Sequence, residues 1–546
     1  MERFRINRLG TAHLRGDLFG GLTAGIVALP LALAFGVASG AGPVAGLYGA
    51  VCVGLFAALF GGTPAQISGP TGPMTIVAAS VFTMFGSQPA VAFTVVMMAG
   101  AFQVLFGWLR LGRYVNLMPY PVISGFMTGI GCILIIMQLD PLLGFATPQS
   151  VINALTVLPG YLAEPNPSAL VIGALALALV LFTPKSIGRI VPSPLIAIIV
   201  CSLAALPLDG APLLGEVPTG LPVPQLPQID FALLNEMLVS AAVLAALGSV
   251  DSLLTSLVAD NVTRTYHDSD KELVGQGIGN LVAGVFGGIP GAGATIRTLS
   301  NVHAGGRTPL SGVVHAVALL AIVLGLGPLV AYVPHAALAG ILIKVGIDVI
   351  DWRFLKRAHR APRMDAVLMA VVLVLTVFVD VITAVGVGIV MASLAFVKEM
   401  AELQVQSIKT VSDPDHERMF DADTAALMRA NRERIMFLHL SGLISFGAAN
   451  ELVRKFSATG SYELLIIDLL DVPKVDGSAA LALEEVIQQA ADARKTVFLV
   501  GLTYPVARLM GRLGCLELVR ETERFESRPE AVRAAVALLD RGLQAR

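Results

Sequence analysis

Three residues able to act on an ion lie inside or beside otherwise apolar stretches: Asp251, Thr255 and Arg297. A charge in such a place is costly in a bilayer and is usually kept for function or for a partner. Asp251 interrupts the apolar run Leu238–Val258, and Thr255 follows one helical turn later on the same face. A carboxylate and a hydroxyl so placed suit a small hard cation, and carbonyls freed at Gly293 and Ala294 would add oxygen ligands for Na⁺. Two other roles fit Asp251 equally: carrying a proton, or forming an ion pair with Arg297. For Arg297, the functional reading is attraction of an anion, alongside the N–H and hydroxyl of Thr295. Pairing with Asp251, or snorkelling to the inner face, is its structural alternative.

Arg297 directly follows a break, Pro290-Gly291-Ala292-Gly293-Ala294-Thr295, and a similar break, Ser68-Gly69-Pro70-Thr71-Gly72-Pro73, stands in the first half of the chain. A broken segment leaves backbone N–H and C=O groups unpaired, which is tolerated only within protein or beside a water-filled cavity. If the extended pieces 65–70 and 288–293 reach mid-bilayer, helices starting near Thr71 and Thr295 aim their N-termini at one central point. Those ends favour an anion through free N–H groups and the helix dipole. The plain alternative is that the Gly and Pro residues serve close helix packing.

The elements that must hold these residues are membrane spans. With 55% hydrophobic and 14% charged residues over 546 positions, and a mean hydropathy of +0.77, lipid is the solvent for most of the chain. Apolar segments occupy roughly 18–39, 43–60, 71–85, 90–109, 119–139, 168–183 and 191–207. After a proline-rich stretch they resume at roughly 233–259, 273–287, 294–303, 310–333, 335–350, 366–379 and 381–397. Between residues 16 and 400, every Lys and Arg except Arg297 falls in or beside loops on the side of the N-terminus. The opposite stretches, including 140–167 and 208–232, carry acids but no Lys or Arg. Such sidedness indicates an even number of crossings and a cytosolic N-terminus. Two sets of seven spans have opposite topologies, the layout of inverted-repeat transporters, with repeats at about 16–207 and 233–398. Matching breaks in the third segment of each set mark the expected substrate site.

Near residue 401 the composition changes, so a transport domain, 1–400, is followed by a soluble domain, 401–546. Ile435–Leu440, Leu464–Leu470 and Thr496–Val500 read as buried strands. Helical patterns at Phe446–Phe456, Gly477–Ala493, Tyr504–Leu513 and about 529–541 alternate with them, giving a small cytosolic α/β domain. Ser478, near a helix start, reads as its cap, with phosphorylation there as a minor regulatory alternative. The net charge of −2 and the absence of a basic patch exclude nucleic acid as a partner. His303, His315 and His335 lack ligand spacing, and the four cysteines are scattered. No Walker loop, dinucleotide fingerprint or nucleophile motif stands in a convincing context, so neither an enzyme nor a cofactor is expected.

These features together resemble the SulP anion transporters: a seven-plus-seven repeat, broken third and tenth segments, an arginine after the second break and a C-terminal STAS domain. Within that family, Arg15–Ala24 and Ala28–Pro43 are similar to the BicA-type sodium-dependent bicarbonate transporters of cyanobacteria. The resemblance implies a core and a gate moving against each other around bicarbonate or another small anion. It implies Na⁺ as the coupling ion, bound by Asp251, Thr255, Gly293, Ala294 and Thr295. Anion contacts are implied at Thr71 and Gly72, around Ala28 to Phe35 with Ala32 and Phe35 foremost, and at Thr295, Ile296 and Arg297. A homodimer formed partly through STAS, in the inner (plasma) membrane, is also implied. The phosphorylatable Asp-Ser-Ser-Gly motif of related anti-sigma antagonists reads Asp476-Gly477-Ser478-Ala479 here, which weighs against phosphoregulation. Two rivals stand beside this reading. One is a proton-coupled or exchanging transporter of sulfate or another oxyanion, and the other is a membrane-anchored signalling protein in which STAS is the active part.

Overall fold

Apolar runs punctuated by Pro and Gly fold as helices whose starts are set by local chemistry. The computed structural model describes residues 5–10, 12–86, 88–113, 119–148, 150–188, 191–208, 210–215, 223–379, 381–406, 408–411, 419–445, 453–454 and 462–544. The chain divides into two compact units, Met1–Val390 and Met391–Arg546.

In the first unit the order begins α1 (Leu14–Ala38), α2 (Pro43–Phe60), strand β1 (Ser68–Gly69), α3 (Gly72–Met84), α4 (Pro89–Trp108) and α5 (Tyr120–Met137). Next come α6 (Leu139–Leu142), α7 (Val151–Ala163), α8 (Pro167–Phe182), α9 (Lys185–Gly188) and α10 (Ser193–Ala205). Then follow α11 (Leu234–Thr263), α12 (Ser269–Val285), strand β2 (Ala292–Gly293), α13 (Thr295–His303), α14 (Pro309–Val330) and α15 (His335–Val349). The series ends with α16 (Trp352–Leu355), α17 (Arg363–Phe378) and α18 (Val381–Gln406), whose residues from Met391 onward belong to the second unit.

A helix stands at each of the fourteen apolar segments. Among the described residues, α1, α2, α4, the α5–α6 stretch and the helical stretch ending in α11 are each long and apolar enough to cross a bilayer alone. Prolines at the first positions of α2, α4, α8 and α14 fix a helical φ where no N–H is needed. Asp17, on α1, accepts from the backbone N–H of Arg307 and Thr308 and from the Thr308 hydroxyl, joining the start of α14 to α1.

The stretch 140–167, expected to be a loop, contains helix α7, which meets α8 at 115°. Its signal was local: the Ser150 hydroxyl accepts from Asn153 N–H at 3.2 Å, while Pro159 inside the helix hides the pattern.

Packing separates two groups of helices. In one, α12 lies along α4 and α2, and α1 lies along α14 and α2. In the other, α5 lies along α17 and α15, and α15 lies along α8. Between the helices of the first group, β1 and β2 pair antiparallel, Ser68 opposite Gly293 and Gly69 opposite Ala292.

In the second unit, β3 (Ile408–Val411), β4 (Ile435–Ser441), β5 (Leu464–Asp471), β6 (Thr496–Val500) and β7 (Arg524–Phe525) form one sheet in that order. The β3–β4 pair is antiparallel and the remaining pairs are parallel. Alternation along the strands feeds two cores. Leu438, Leu465, Ile467 and Leu499 pack with the helix Gly477–Asp492 on one face. Phe437, Ile466 and Phe498 pack with α19 (Ala422–Ala430) and the helix Arg528–Gln544 on the other. Three strands expected from sequence are present as β4, β5 and β6. Most of the helix expected at Phe446–Phe456 lies outside the described residues. Ser478 is not the cap of its helix: Asp476 is, accepting from Ala479 N–H at 2.8 Å. Asp outbids Ser here because it occupies the last extended residue, where its carboxylate also meets the helix dipole.

The strand crossing depends on glycine at Gly291, where an added Cβ would stand 2.4 Å from the Gly69 carbonyl carbon. Gly291→Ala is therefore expected to destabilise the first unit by roughly 1–3 kcal/mol, the usual cost of overpacking, measured by thermal unfolding of the solubilised full chain.

Candidate ion-binding site

The β1–β2 crossing satisfies backbone that no helix serves. Beyond the two paired positions, Ala294 N–H donates to Ile67 O at 2.9 Å, and Ile67 N–H donates to the Thr298 hydroxyl at 3.0 Å. The Arg297 side chain is 2% exposed, and its Nη2 donates to the Pro70 carbonyl. Gly69, at φ 149°, makes room for it, since a Cβ there would lie 2.7 Å from Nη1. One guanidinium thus fastens the start of α13 to the end of the other break. Its Nε and Nη1 have no partner among the described residues, leaving N–H donors for an anion.

The two helix starts differ. At α3, Thr71 caps the helix through Met74 N–H, and Pro73 contributes no donor. At α13, Ala294 precedes the helix and no side chain caps it. The stronger anion-attracting end is therefore that of α13.

Oxygens collect beside it. The Thr71 hydroxyl donates to Asp251 Oδ2 at 2.7 Å, and the Thr255 hydroxyl donates to Gly293 O at 3.0 Å. Thr255 Oγ1 also lies 2.8 Å from Thr295 Oγ1. Ser252, a neighbour of Asp251, accepts from Gly293 N–H at 3.0 Å. Asp251 and Arg297 act on each other electrostatically, yet no ion pair joins them among the described residues. The carboxylate is turned to Thr71 and the guanidinium to Pro70, so the direct pair that the sequence allowed does not form.

A further polar layer lies behind the crossing, and sequence reading passed over it. Glu272, 1% exposed, accepts from Gly62 N–H, Thr63 N–H, Gln66 Nε2 and Gln276 Nε2 at 2.7–2.9 Å. Gln276 also donates to Ser68 Oγ at 2.6 Å, while Asn280 donates to Gly291 O and accepts from Gly291 N–H. The available signal was the spacing of Glu272, Gln276 and Asn280, one polar residue per turn on a single face of an apolar helix.

Of the expected site residues, Thr71, Asp251, Thr255, Gly293, Ala294, Thr295 and Arg297 gather at the crossing. Gly72 opens α3, packed near Leu134. Ala32 and Phe35 are buried on α1, with the Ala32 carbonyl against Gly46 of α2. Ile296 is 48% exposed, whereas its neighbour Arg297 is buried.

In the second unit His439, Asp468 and Asp471 also cluster. Arg528 already serves them as cation, with Nε 2.8 Å from Asp468 and Nη2 on Asp471. Burial pulls the Arg528 pKa down, but the two carboxylates outweigh it and hold the guanidinium above its usual value.

Residues 14–372 match the sulfate permease family, and residues 426–531 match the STAS domain. The bicarbonate transporter BicA of Synechocystis sp. is 46% identical over 542 residues, covering 98% of this chain and 96% of that protein. The solved transmembrane domain of a cyanobacterial BicA is 51% identical, with a TM-score of 0.66 over 69% of this chain and 99% of that one. At 18% identity, the structure of SLC26A9 shares the fold, with a TM-score of 0.80 over 97% of this chain and 91% of that one. The architecture is that of a helical membrane anion transporter with a C-terminal STAS domain, and not of an enzyme. The chain belongs to the sulfate permease family.

Glu272 offers only acceptors to four donors, so Glu272→Gln turns an amide N–H₂ against some of them. The variant is expected to lose about 2–4 kcal/mol of stability in thermal unfolding, as befits buried donors left without an acceptor.

Proposed function

We propose that this chain takes up bicarbonate across the plasma membrane, coupled to Na⁺, by alternating access. The observation that carries the reading is the placement of Asp251 and the uncapped start of α13 at one strand crossing, a carboxylate and an anion-attracting end side by side. In this reading Asp251, Thr255, Gly293, Ala294 and Thr295 hold Na⁺, and the α13 start, Arg297 and the Thr71–Gly72 end of α3 hold the anion. Ala32, Phe35 and Ile296 wall the anion's space from α1 and α13.

Coupling follows from charge. With Asp251 ionised and unaccompanied, its negative charge opposes an anion at the α13 start. Na⁺ beside the carboxylate cancels that repulsion, so each ion raises the affinity for the other by the same factor. The hydroxyls of Thr255 and Thr295 and the Gly293 carbonyl are neutral oxygens, which suit a hard monovalent cation beside a single carboxylate. The one intramembrane arginine matches a singly charged anion better than a divalent one.

The fourteen helical segments read as two inverted sets of seven, and the packing supports this. Under a two-fold exchange of the sets, the α1–α14 contact corresponds to α11–α4, and α5–α17 to α15–α8, and all four contacts exist. The α1–α4 and α11–α14 group is the core, and α5, α8, α10, α15 and α17 form the gate. The N-terminus and the STAS domain face the cytosol, and a homodimer forms partly through STAS. Relatedness to bicarbonate transporters at 46% identity supports the choice of anion.

Isotope-labelled bicarbonate uptake by proteoliposomes, with and without Na⁺ and with sulfate as competitor, tests the proposal. Na⁺-independent sulfate uptake would replace it with the oxyanion alternative. Asp251→Asn is expected to remove Na⁺ stimulation and to lower uptake roughly tenfold or more, the size of an ordinary coupling between sites, while the protein stays folded. Normal Na⁺-driven uptake by that variant would remove Asp251 from the cation site.

A further inference from the structure

A cavity of about 740 Å³ opens between α1, α10, α13 and α15. It runs beside α13 from Ile296, one residue into the helix, to His303 and Ala304 at its end. Its wall includes Ser300 of α13, Ser193 at the start of α10, and both Lys344 and Asp348 of α15. Lys344 and Asp348 form an i,i+4 ion pair and are 30% and 40% exposed.

The pair is poorly suited to stabilising its own helix. Asp348 sits in the last turn of α15, where the dipole disfavours an acid, and Lys before Asp is the weaker order for an i,i+4 pair. Its placement makes sense toward the cavity instead. Lys344 puts an ammonium opposite the exposed flank of α13, and the positive N-terminal end of α10 opens on the same space. Asp348 competes with any visiting anion for that ammonium.

We infer that Lys344 is a waypoint for the transported anion on the gate side of the cytosolic vestibule, with Asp348 as its exchangeable counter-ion. An anion leaving the α13 start passes Ile296 and Ser300, displaces the Asp348 carboxylate from Lys344, and is released when the carboxylate returns. The exchange keeps Lys344 partnered at every stage, so the anion meets a cation without being trapped by it. Lys344 therefore sets affinity at the cytosolic face and leaves the outer face alone. This inference rests on the transport reading above and on the cytosolic side that the Lys and Arg pattern gives the loop after α13, which carries Arg307.

The test compares half-saturating bicarbonate in inside-out membrane vesicles and in intact cells, each carrying the full-length protein, with Na⁺ equal on both sides. Lys344→Gln is expected to raise the inner-face value roughly fivefold, in keeping with a partly exposed charge contact, and Lys344→Arg to restore it. Asp348→Asn is expected to lower the same value, because it frees the ammonium. Lys344→Gln and Asp348→Asn should both leave the outer-face value unchanged. A pair that served only helix stability would move both variants in one direction, together with the unfolding temperature, and that result would overturn the inference. Unchanged inner-face values in both variants with uptake intact would overturn it as well, while leaving the transport reading standing. Absence of bicarbonate uptake by the unaltered protein from either face would instead overturn the transport reading, and this inference with it.

Discussion

Two pieces of backbone at the heart of the first unit lack a helix to bond to, and they survive by bonding to each other. In lipid, unpaired N–H and C=O groups cost several kcal/mol apiece, so an interrupted span must find partners within the protein. Here each break supplies them to the other through the short antiparallel pairing of Ser68–Gly69 with Ala292–Gly293. Arg297 then locks the arrangement by donating to the Pro70 carbonyl across Gly69. Every other part of the site is placed relative to this crossing: both helix starts, the hydroxyls of Thr71 and Thr295, and Asp251.

The crossing also explains why polar side chains are plentiful in so apolar a region. Glu272, Gln276 and Asn280 extend from α12 into the back of the crossing, and Ser252 and Thr255 extend into it from α11. Their hydrogen bonds interlock, so removing one leaves several buried partners unsatisfied. That mutual dependence holds the oxygens around the crossing in register. Arg297 and Asp251 do not pair: the guanidinium is held by the Pro70 carbonyl and the carboxylate by the Thr71 hydroxyl. The two opposite charges therefore stand near each other without an ion pair to neutralise them.

The sequence by itself determined the elements and their kind. Long apolar runs allow only helices where lipid surrounds them, so α1, α2, α4, α5 and α11 were legible from hydropathy. The sidedness of Lys and Arg gave an expected orientation, and the paired Pro-Gly breaks drew attention to Thr71 and Thr295. Strands β4, β5 and β6 were likewise legible, as short apolar runs between amphipathic helical patterns. Local rules failed where two signals competed. Helix α7 was hidden by an internal proline, and the cap before Gly477–Asp492 is Asp476 rather than Ser478.

What only the tertiary structure decided is pairing across long sequence separations. Gln66 bonds to Glu272, Pro70 to Arg297 and Thr71 to Asp251, each from a position about two hundred residues away. A sequence states which groups need partners, because burial of an unpaired polar group is costly wherever it occurs. It does not state which of several chemically equivalent partners will be within 3 Å. Asp251 illustrates the difference. Its place in an apolar helix announced a role, but its separation from Arg297 was settled by how α3, α11 and α13 pack around the crossing.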